Sequence, residues 1–346
     1  MASDALNERK RIILRAVTDD YISSAEPVGS RTIARKYNLG LSPATIRNEM
    51  ADLEEEGYLQ QPHTSAGRIP SDQGYRYYVD SLLAHKTLSP QDLIEIHREM
   101  ERRQLGMEEL LQQAGKILAQ LTRYPAMIST PQQQKVSFRH VQLVPLNEKN
   151  VMVVVITDTG MVENQILPTE VEWTYDELDR ISKWINHRLR GITLEELTGK
   201  RWNEIRLDIE IEDHNFHHAL GILLDALANS RRDRVYLDGA ANILEQPEFR
   251  EVERFKPLMG LFETEDVLRK LLKPNDKGVT IRIGHENEQE AIKECSVVTT
   301  NYRIGDNAVG VVGVLGPTRM DYGKILAIVE YMSKYLGKLL TDVGNK

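Results

Sequence analysis

The chain has 346 residues, 41% of them apolar and 28% charged, enough for two or three domains with sizeable cores and typical of a soluble globular protein. Its net charge of −8 argues against a nonspecific nucleic-acid coat, and a single cysteine, Cys295, excludes an internal disulfide or a Cys-rich zinc site and suits a reducing cytoplasm. No stretch approaches the roughly 20 apolar residues of a membrane-crossing helix, and the opening MASDALNERKR lacks the apolar core of an export signal.

Residues 6–24 predict a first helix, with Leu6, Ile13, Val17 and Tyr21 at helical spacing and Glu26, Pro27 and Gly29 ending it. Ser30 is placed to cap a second short helix, RTIARKY, with Ile33, Ala34 and Tyr37 turned inward. Asn38 to Leu41 make a tight turn in which Gly40 suits a left-handed position. A third helix opens at Ser42, a capping residue, and Pro43, whose missing N–H costs nothing at the first helical position. Ile46, Met50 and Leu53 fall on one buried stripe, and Gly57 supplies a left-handed stop. An extended piece from Tyr58 to Gln61, a loop from Pro62 to Gly67 and a return through Arg68, Ile69 and Pro70 complete a small hairpin. These are the parts of a winged helix-turn-helix.

With that stripe buried, Ala44, Asn48 and Ala51 point outward, flanked by Thr45, Arg47 and Asp52. Recognition helices present their N-terminal residues to the major groove, where Asn48 would pair with adenine and Arg47 with guanine or phosphate. A surface ion pair with Glu49 or Asp52 is the alternative for Arg47. On the wing, His63 and Arg68 suit phosphate or minor-groove contact or simple solvation, and Thr64 and Ser65 suit donation to phosphate. The expected DNA-binding residues are therefore Arg31, Arg35, Ser42, Thr45, Arg47, Asn48, His63, Thr64 and Arg68. Residues 1–80 hold 10 Lys/Arg against 12 Asp/Glu, which opposes DNA binding through bulk charge. The acids Glu54, Glu55 and Glu56 cluster at the far end of the third helix, whereas Arg31, Arg35, Lys36, Arg47 and Arg68 spread over the helix-turn-helix and wing. Binding should then rely on a dimer and on base contacts.

GYRYYVDSLL (Gly74 to Leu83) predicts an aromatic-rich helix closing the reader's core, followed by a linker around Lys86 to Pro90. Ser89 and Pro90 open a long polar helix reaching Tyr124 and Pro125. Its Leu93, Ile96, Met100, Met107, Leu110, Ala114, Ile117 and Leu121 form a heptad seam, fit for a coiled coil or for packing along the next domain. From Val136 the period becomes two: VSFRHVQLVPL and VMVVVITDTGMVENQILP are strand runs joined by a short turn at Leu146 to Asn150. VTIRIG, SVVTTNYRIGDN and AVGVVGVLG follow much later, then a closing amphipathic helix, Tyr322 to Leu340, which together predict an α/β sensor-like domain. The intervening helical sequence, about Glu172 to Arg234, carries Trp173, Trp184 and Trp202, which suit either an interface or a small core.

Other patterns promise less. His214, His217 and His218 have zinc-compatible helical spacing but no obvious fourth ligand, and read as surface or interface histidines. Gly310, Gly313 and Gly316 match no phosphate loop and suit tight sheet packing. In GPTRMDYGK, Arg319 and Asp321 would line an anion site or form a structural ion pair. With no catalytic constellation, the chain is expected to be no enzyme and to carry no cofactor or metal.

The stretch LSPATIRNEMADLEEEGYLQQPHTSAGRIPSDQGYRYYVD, with LDGAANILEQPEF (Leu237 to Phe249) and GVLGPTRMDYGKI (Gly313 to Ile325), resembles the HrcA family of bacterial heat-inducible transcription repressors over nearly the whole chain. The resemblance implies an α+β multidomain protein: a winged helix-turn-helix domain in 1–85, a linker and long helix in 86–125, a GAF-like domain in 126–171 and 235–346, and an inserted, mainly helical dimerisation domain in 172–234. It further implies a homodimer on an inverted-repeat operator ahead of chaperone operons, in the bacterial cytoplasm at the nucleoid and away from membranes. The chaperonin GroEL would keep the repressor active, so that misfolded proteins titrating GroEL release repression. A small-molecule-responsive regulator using the GAF-like domain as sensor is the alternative.

Overall fold

The computed structural model describes residues 6–64, 66–84, 86–101, 106–131, 138–157, 162–189, 192, 218–219, 221–223, 234–274, 278–305 and 308–344. The protein is a mixed α+β structure whose described residues form one two-stranded, one five-stranded and one three-stranded sheet. Among the described residues no helix is long and apolar enough to cross a membrane.

The head begins with α1 (Glu8–Ser24), capped by Asn7, whose side chain accepts from the Lys10 N–H, and ended by Ala25 in a left-handed conformation. In α2 (Ser30–Lys36) the cap is Gly29, so Ser30 lies inside the helix instead of capping it. Gly40, at φ +67°, takes the left-handed place in the turn before α3 (Pro43–Glu55). Gly57, at φ +83°, reverses the chain into β1 (Leu59–Gln60), which pairs with β2 (Ile69–Pro70) as a hairpin. Ile13, Leu14, Val17, Ile33, Ile46, Met50, Leu53 and Leu59 make one core. Burying each such side chain contributes about 1.5–3 kcal/mol, so these few residues outweigh any surface pair in the head.

After the hairpin, α4 (Asp72–Tyr77) widens into a single π turn, Tyr78–Leu82. Here the structure departs from the expectation that this helix closes the reader's core. Tyr77 does face the head and meets Tyr58 edge-on at 5.5 Å, but Tyr75 and Tyr78 are buried in the core of the body. The expected long helix is broken as well. The pieces are α5 (Pro90–Met100), with a Ser89–Asp92 capping box, and α6 (Met107–Thr122), which starts at Gly106. The heptad residues Ile96, Met100, Met107, Leu110, Ala114, Ile117 and Leu121 all enter that same core, so the seam is intramolecular packing and not a coiled coil.

The body is built on the antiparallel five-stranded sheet β7-β3-β10-β9-β8. Its strands are β3 (Ala126–Ser129), β7 (Val235–Asp238), β8 (Thr280–Ile283), β9 (Cys295–Ile304) and β10 (Ala308–Pro317). Strand alternation divides the side chains between two layers. Ala126, Ile128, Val298, Val312 and Val314 face α6 and the closing helix α10 (Tyr322–Gly344). Met127, Val297, Val311 and Leu315 face α8 (Val252–Phe262) and α9 (Glu265–Leu271). Cys295 lies in this second layer, fully buried, and burial pushes its thiol up. The strand glycines make room: a Cβ on Gly310 would lie 2.2 Å from the Tyr302 ring, and one on Gly316 would lie 2.9 Å from Tyr124.

Strands β4 (Phe138–Asn147), β5 (Asn150–Thr157) and β6 (Val162–Pro168) do not join that sheet. They form their own, with Val141, Leu143, Val151 and Val153 packed on Leu178, Ile181 and Ile185 of α7 (Tyr175–Leu189). The chain leaves the body after β3 and returns beside it at β7, where Ser129 pairs with Val235 and the Thr130 N–H donates to the Arg234 carbonyl at 2.9 Å. The three-stranded sheet and α7 form one unit that lies between β3 and β7 in the chain, whereas the expectation assigned 126–171 to one domain with the later strands. Strand periodicity signals a strand without saying which sheet it joins; the hydrogen-bond ladder and the core decide that. Trp173 belongs to this unit's core and donates to Thr169 at 3.0 Å, and His218 stacks on it, so neither is a free interface residue. Trp202, His214 and His217 lie outside the described residues.

Candidate nucleic-acid interface

The cap and the apolar stripe orient α3. Ser42 Oγ accepts the Thr45 N–H at 3.1 Å and lies 2.9 Å from Thr45 Oγ1, so both hydroxyls of this pair already have partners. Ile46 and Leu53 are fully buried against α1 and α2. Ala44, Arg47 and Asn48 are thereby left exposed on the outer edge of the helix, with Thr45 half-buried beside them. Arg31 and Arg35 are exposed on α2. Arg31, Arg35 and Arg47 make no ion pair with the described residues, whereas Lys36 is tied to the buried carboxylate of Asp20, which holds its ammonium above the usual range.

The acids that opposed DNA binding in the sequence are mostly occupied. Glu49 pairs with Arg9 at 3.2 Å, Asp52 and Glu56 with Lys10, and Glu54 with Arg68 at 2.7 Å. The Glu56 carboxylate raises the Lys10 ammonium above its ordinary value. Glu49 and Asp52, the expected surface partners of Arg47, are thus taken by α1, and Arg47 stays free among the described residues. The one acid of this segment with no partner among them, Glu55, sits at the C-terminal end. Sequence reasoning missed Arg9 and Lys10, because about forty residues separate each from its partner. A run of bases at a helix start otherwise reads as a solvated face.

The wing is stiffened from inside. Gln61 Nε2 donates to the carbonyls of Thr64 and Ala66 at 3.0 and 2.9 Å, and the Ala66 N–H reaches His63 O at 2.8 Å. His63 and Thr64 stand exposed at the tip, and Ser65 lies outside the described residues. The return leg bridges to Val28, with N–H···O bonds of 2.9 Å in both directions between Val28 and Arg68. This approach requires Gly67, since a Cβ there would fall 2.4 Å from the Val28 carbonyl. Arg68 itself corrects the expectation of a free phosphate contact. Its side chain is only 20% exposed and its guanidinium is committed to Glu54, with Nε buried and unpartnered, so it ties the wing to α3. Arg319 and Asp321 likewise resolve into ion pairs, with Glu248 and Lys86.

The geometry agrees with comparisons to other proteins. A family model described as the HrcA protein C-terminal domain matches residues 108–326. Proteins named heat-inducible transcription repressor HrcA match from Pelotomaculum thermopropionicum and Desulforamulus reducens, each 44% identical over 340 residues and covering 98% of both chains. The Brevibacillus brevis protein of that name is 41% identical over 341 residues, covering 99% of this chain and all of its own. A solved structure described as a hypothetical protein superposes with a TM-score of 0.66 at 26% identity, over 98% of this chain and 100% of the other. On these matches, the chain belongs to the HrcA family of heat-inducible transcription repressors and is not an enzyme.

Proposed function

We propose that the head is a winged helix reading the operator of a heat-shock operon, and that a homodimer presents two such heads to an inverted repeat. The observation that carries this is the exposed edge of α3, where Arg47 and Asn48 are open to solvent and the neighbouring acids Glu49 and Asp52 are paired with α1. Asn48 reads an adenine, Arg47 a guanine or a phosphate, and Arg31, Arg35, His63 and Thr64 contact the backbone. Ser42 and Thr45 act by starting the helix, which aims its free N–H groups at a phosphate. Arg68 acts by holding the wing.

The inserted unit supports dimerisation. Val144, Met152, Val154, Ile156, Val162 and Ile166 lie on the face of its sheet opposite α7, and Val162 and Ile166 are 55% and 60% exposed. An apolar sheet face of this kind is covered in a working protein. Protein two-fold symmetry then predicts operator symmetry. The five-stranded unit fills the place of the GAF-like domain, and the repressor works in the cytoplasm at the nucleoid. Heat and the chaperonin GroEL would set the fraction of binding-competent protein by mass action.

The test uses full-length protein and duplexes selected from random DNA. Selection of an inverted repeat, bound as a dimer, is the expected outcome; selection of nothing beyond random affinity would sink the reading. Adding GroEL with ATP to heat-treated repressor should restore binding, and full affinity at heat-shock temperature without chaperonin would remove that part. A second reading, regulation by a small molecule, is favoured by a cavity of about 580 Å³ between α6 and β7, lined by Gln112, Gln113, Lys116, Tyr236 and Asp238. A metabolite that shifts operator affinity with no chaperonin effect would select it.

A further inference from the structure

Head and body have largely separate apolar cores, and two guanidinium groups hold the surface where they meet. Arg76 on α4 donates from Nε to Glu286 Oε1 at 2.8 Å, and from Nη2 to the second carboxylate oxygen and to the Ile281 carbonyl at 2.7 Å. One turn earlier, Asp72 accepts from the His285 backbone N–H at 2.8 Å and stands 2.7 Å from its ring Nδ1. The approach is so close that a Cβ on Gly284, at φ +53°, would lie 2.1 Å from the Asp72 carboxylate. The second group, Arg319, has a side chain only 11% exposed. It is gripped by Glu248 and Gln246 of the body and donates from Nη1 to the Ile22 carbonyl, in the last turn of α1, at 3.3 Å. Carbonyls at a helix C-terminus lack helical partners and lie at the negative end of its dipole, so a cation is well placed there.

We infer that Arg76 and Arg319 are positioning residues for operator recognition, setting the angle at which the body presents α3. The inference rests on the two-headed reading above. Apolar contact between head and body, through Tyr21, Ile22 and Tyr75, is non-directional and permits rocking, and beyond it Tyr78 donates one hydrogen bond to Asp19 at 2.5 Å. Hydrogen bonds at two separate elements, a single one to the end of α1 and the bidentate Arg76–Glu286 pair with Asp72 beside it on α4, oppose rotation as well as translation. When two heads share one dimer, a fixed angle raises the effective concentration of the second head at one half-site spacing and lowers it at the others. The reading edge at Arg47 and Asn48 makes none of these contacts, so an isolated half-site does not sense the clamps.

The experiment compares full-length variants on three duplexes: an inverted repeat selected from random DNA, its single half-site, and copies whose half-sites are moved from one base pair up to half a helical turn. Arg319→Lys keeps the charge but loses the fork, and Glu286→Gln weakens the other clamp. Both variants should keep half-site affinity, lose about tenfold or more on the selected repeat, and accept a wider range of spacings. The exchanged pair Arg76→Glu/Glu286→Arg should restore the narrow range. Should Arg319→Lys unfold, Glu286→Gln carries the test, because Glu286 is 38% exposed and tolerates the change. An unchanged ratio of repeat to half-site affinity, with an unchanged spacing profile, would overturn the inference. If the unmodified protein selects no inverted repeat, the two-headed reading fails first and takes this one with it.

Discussion

The two halves of α3 carry opposite chemistry on one continuous helix. From Pro43 to Asn48 the exposed side chains are small, neutral or basic, and Arg47 has no partner among the described residues. From Glu49 to Glu56 the surface is acidic, and four of its five acids are neutralised by bases brought from α1 and the wing. On the proposed reading, a chain of net charge −8 needs no basic domain to read DNA. It needs an exposed basic edge, and ion pairs within the head neutralise the acids next to it.

Substitutions break or sharpen this contrast to different degrees. The largest effect is expected from Leu53→Ala, which empties a fully buried site under both halves and should cost about 2–5 kcal/mol of head stability. Urea unfolding checks this, and DNA affinity should fall only as the folded fraction falls. Asn48→Ala should cost about 1–3 kcal/mol on the selected operator, with no change in unfolding temperature. Equal losses on operator and random DNA would take Asn48 out of base readout. Ser42→Ala removes the cap and should cost about 1 kcal/mol of helix stability, and Ser42→Asp should recover most of it. Arg68→Ala should loosen the wing by on the order of 1 kcal/mol while leaving the salt dependence of binding nearly unchanged. A drop in salt slope of about one ion would instead make Arg68 a phosphate contact. The smallest effect is Arg9→Ala, within about 0–1 kcal/mol of stability because Arg9 is 56% exposed. It frees Glu49, so affinity should fall at low salt and recover as salt screens the charge.

The head was legible in the sequence almost residue by residue. Its signals are local: a Ser-Pro helix start, a stripe at three- and four-residue spacing, glycines where the backbone turns left-handed. Ser42, Gly40, Gly57 and the Ile46–Met50–Leu53 stripe all stand where those rules place them. Local rules failed where two elements compete for one surface. Ser30 looked like a cap but lies inside α2 behind Gly29, and Tyr75 and Tyr78 looked like head core but fill the body. The β4–β6 strands were recognisable as strands, yet their assignment to the body sheet was wrong, since alternation is the same in either sheet.

By itself, then, the sequence determined the elements of the head, the outward placement of Arg47 and Asn48, and, through long shared motifs, the family. Tertiary structure alone decided which charges remain available. Arg68 and Lys36 are spent on Glu54 and Asp20, while the partners expected for Arg47 are taken by Arg9 and Lys10. It also decided that Arg76 and Arg319 join head to body across more than two hundred residues of chain. The physical reason is range. Caps, turns and helical stripes form between residues a few positions apart, whereas an ion pair is set by distance in space, which folding creates and sequence order does not record.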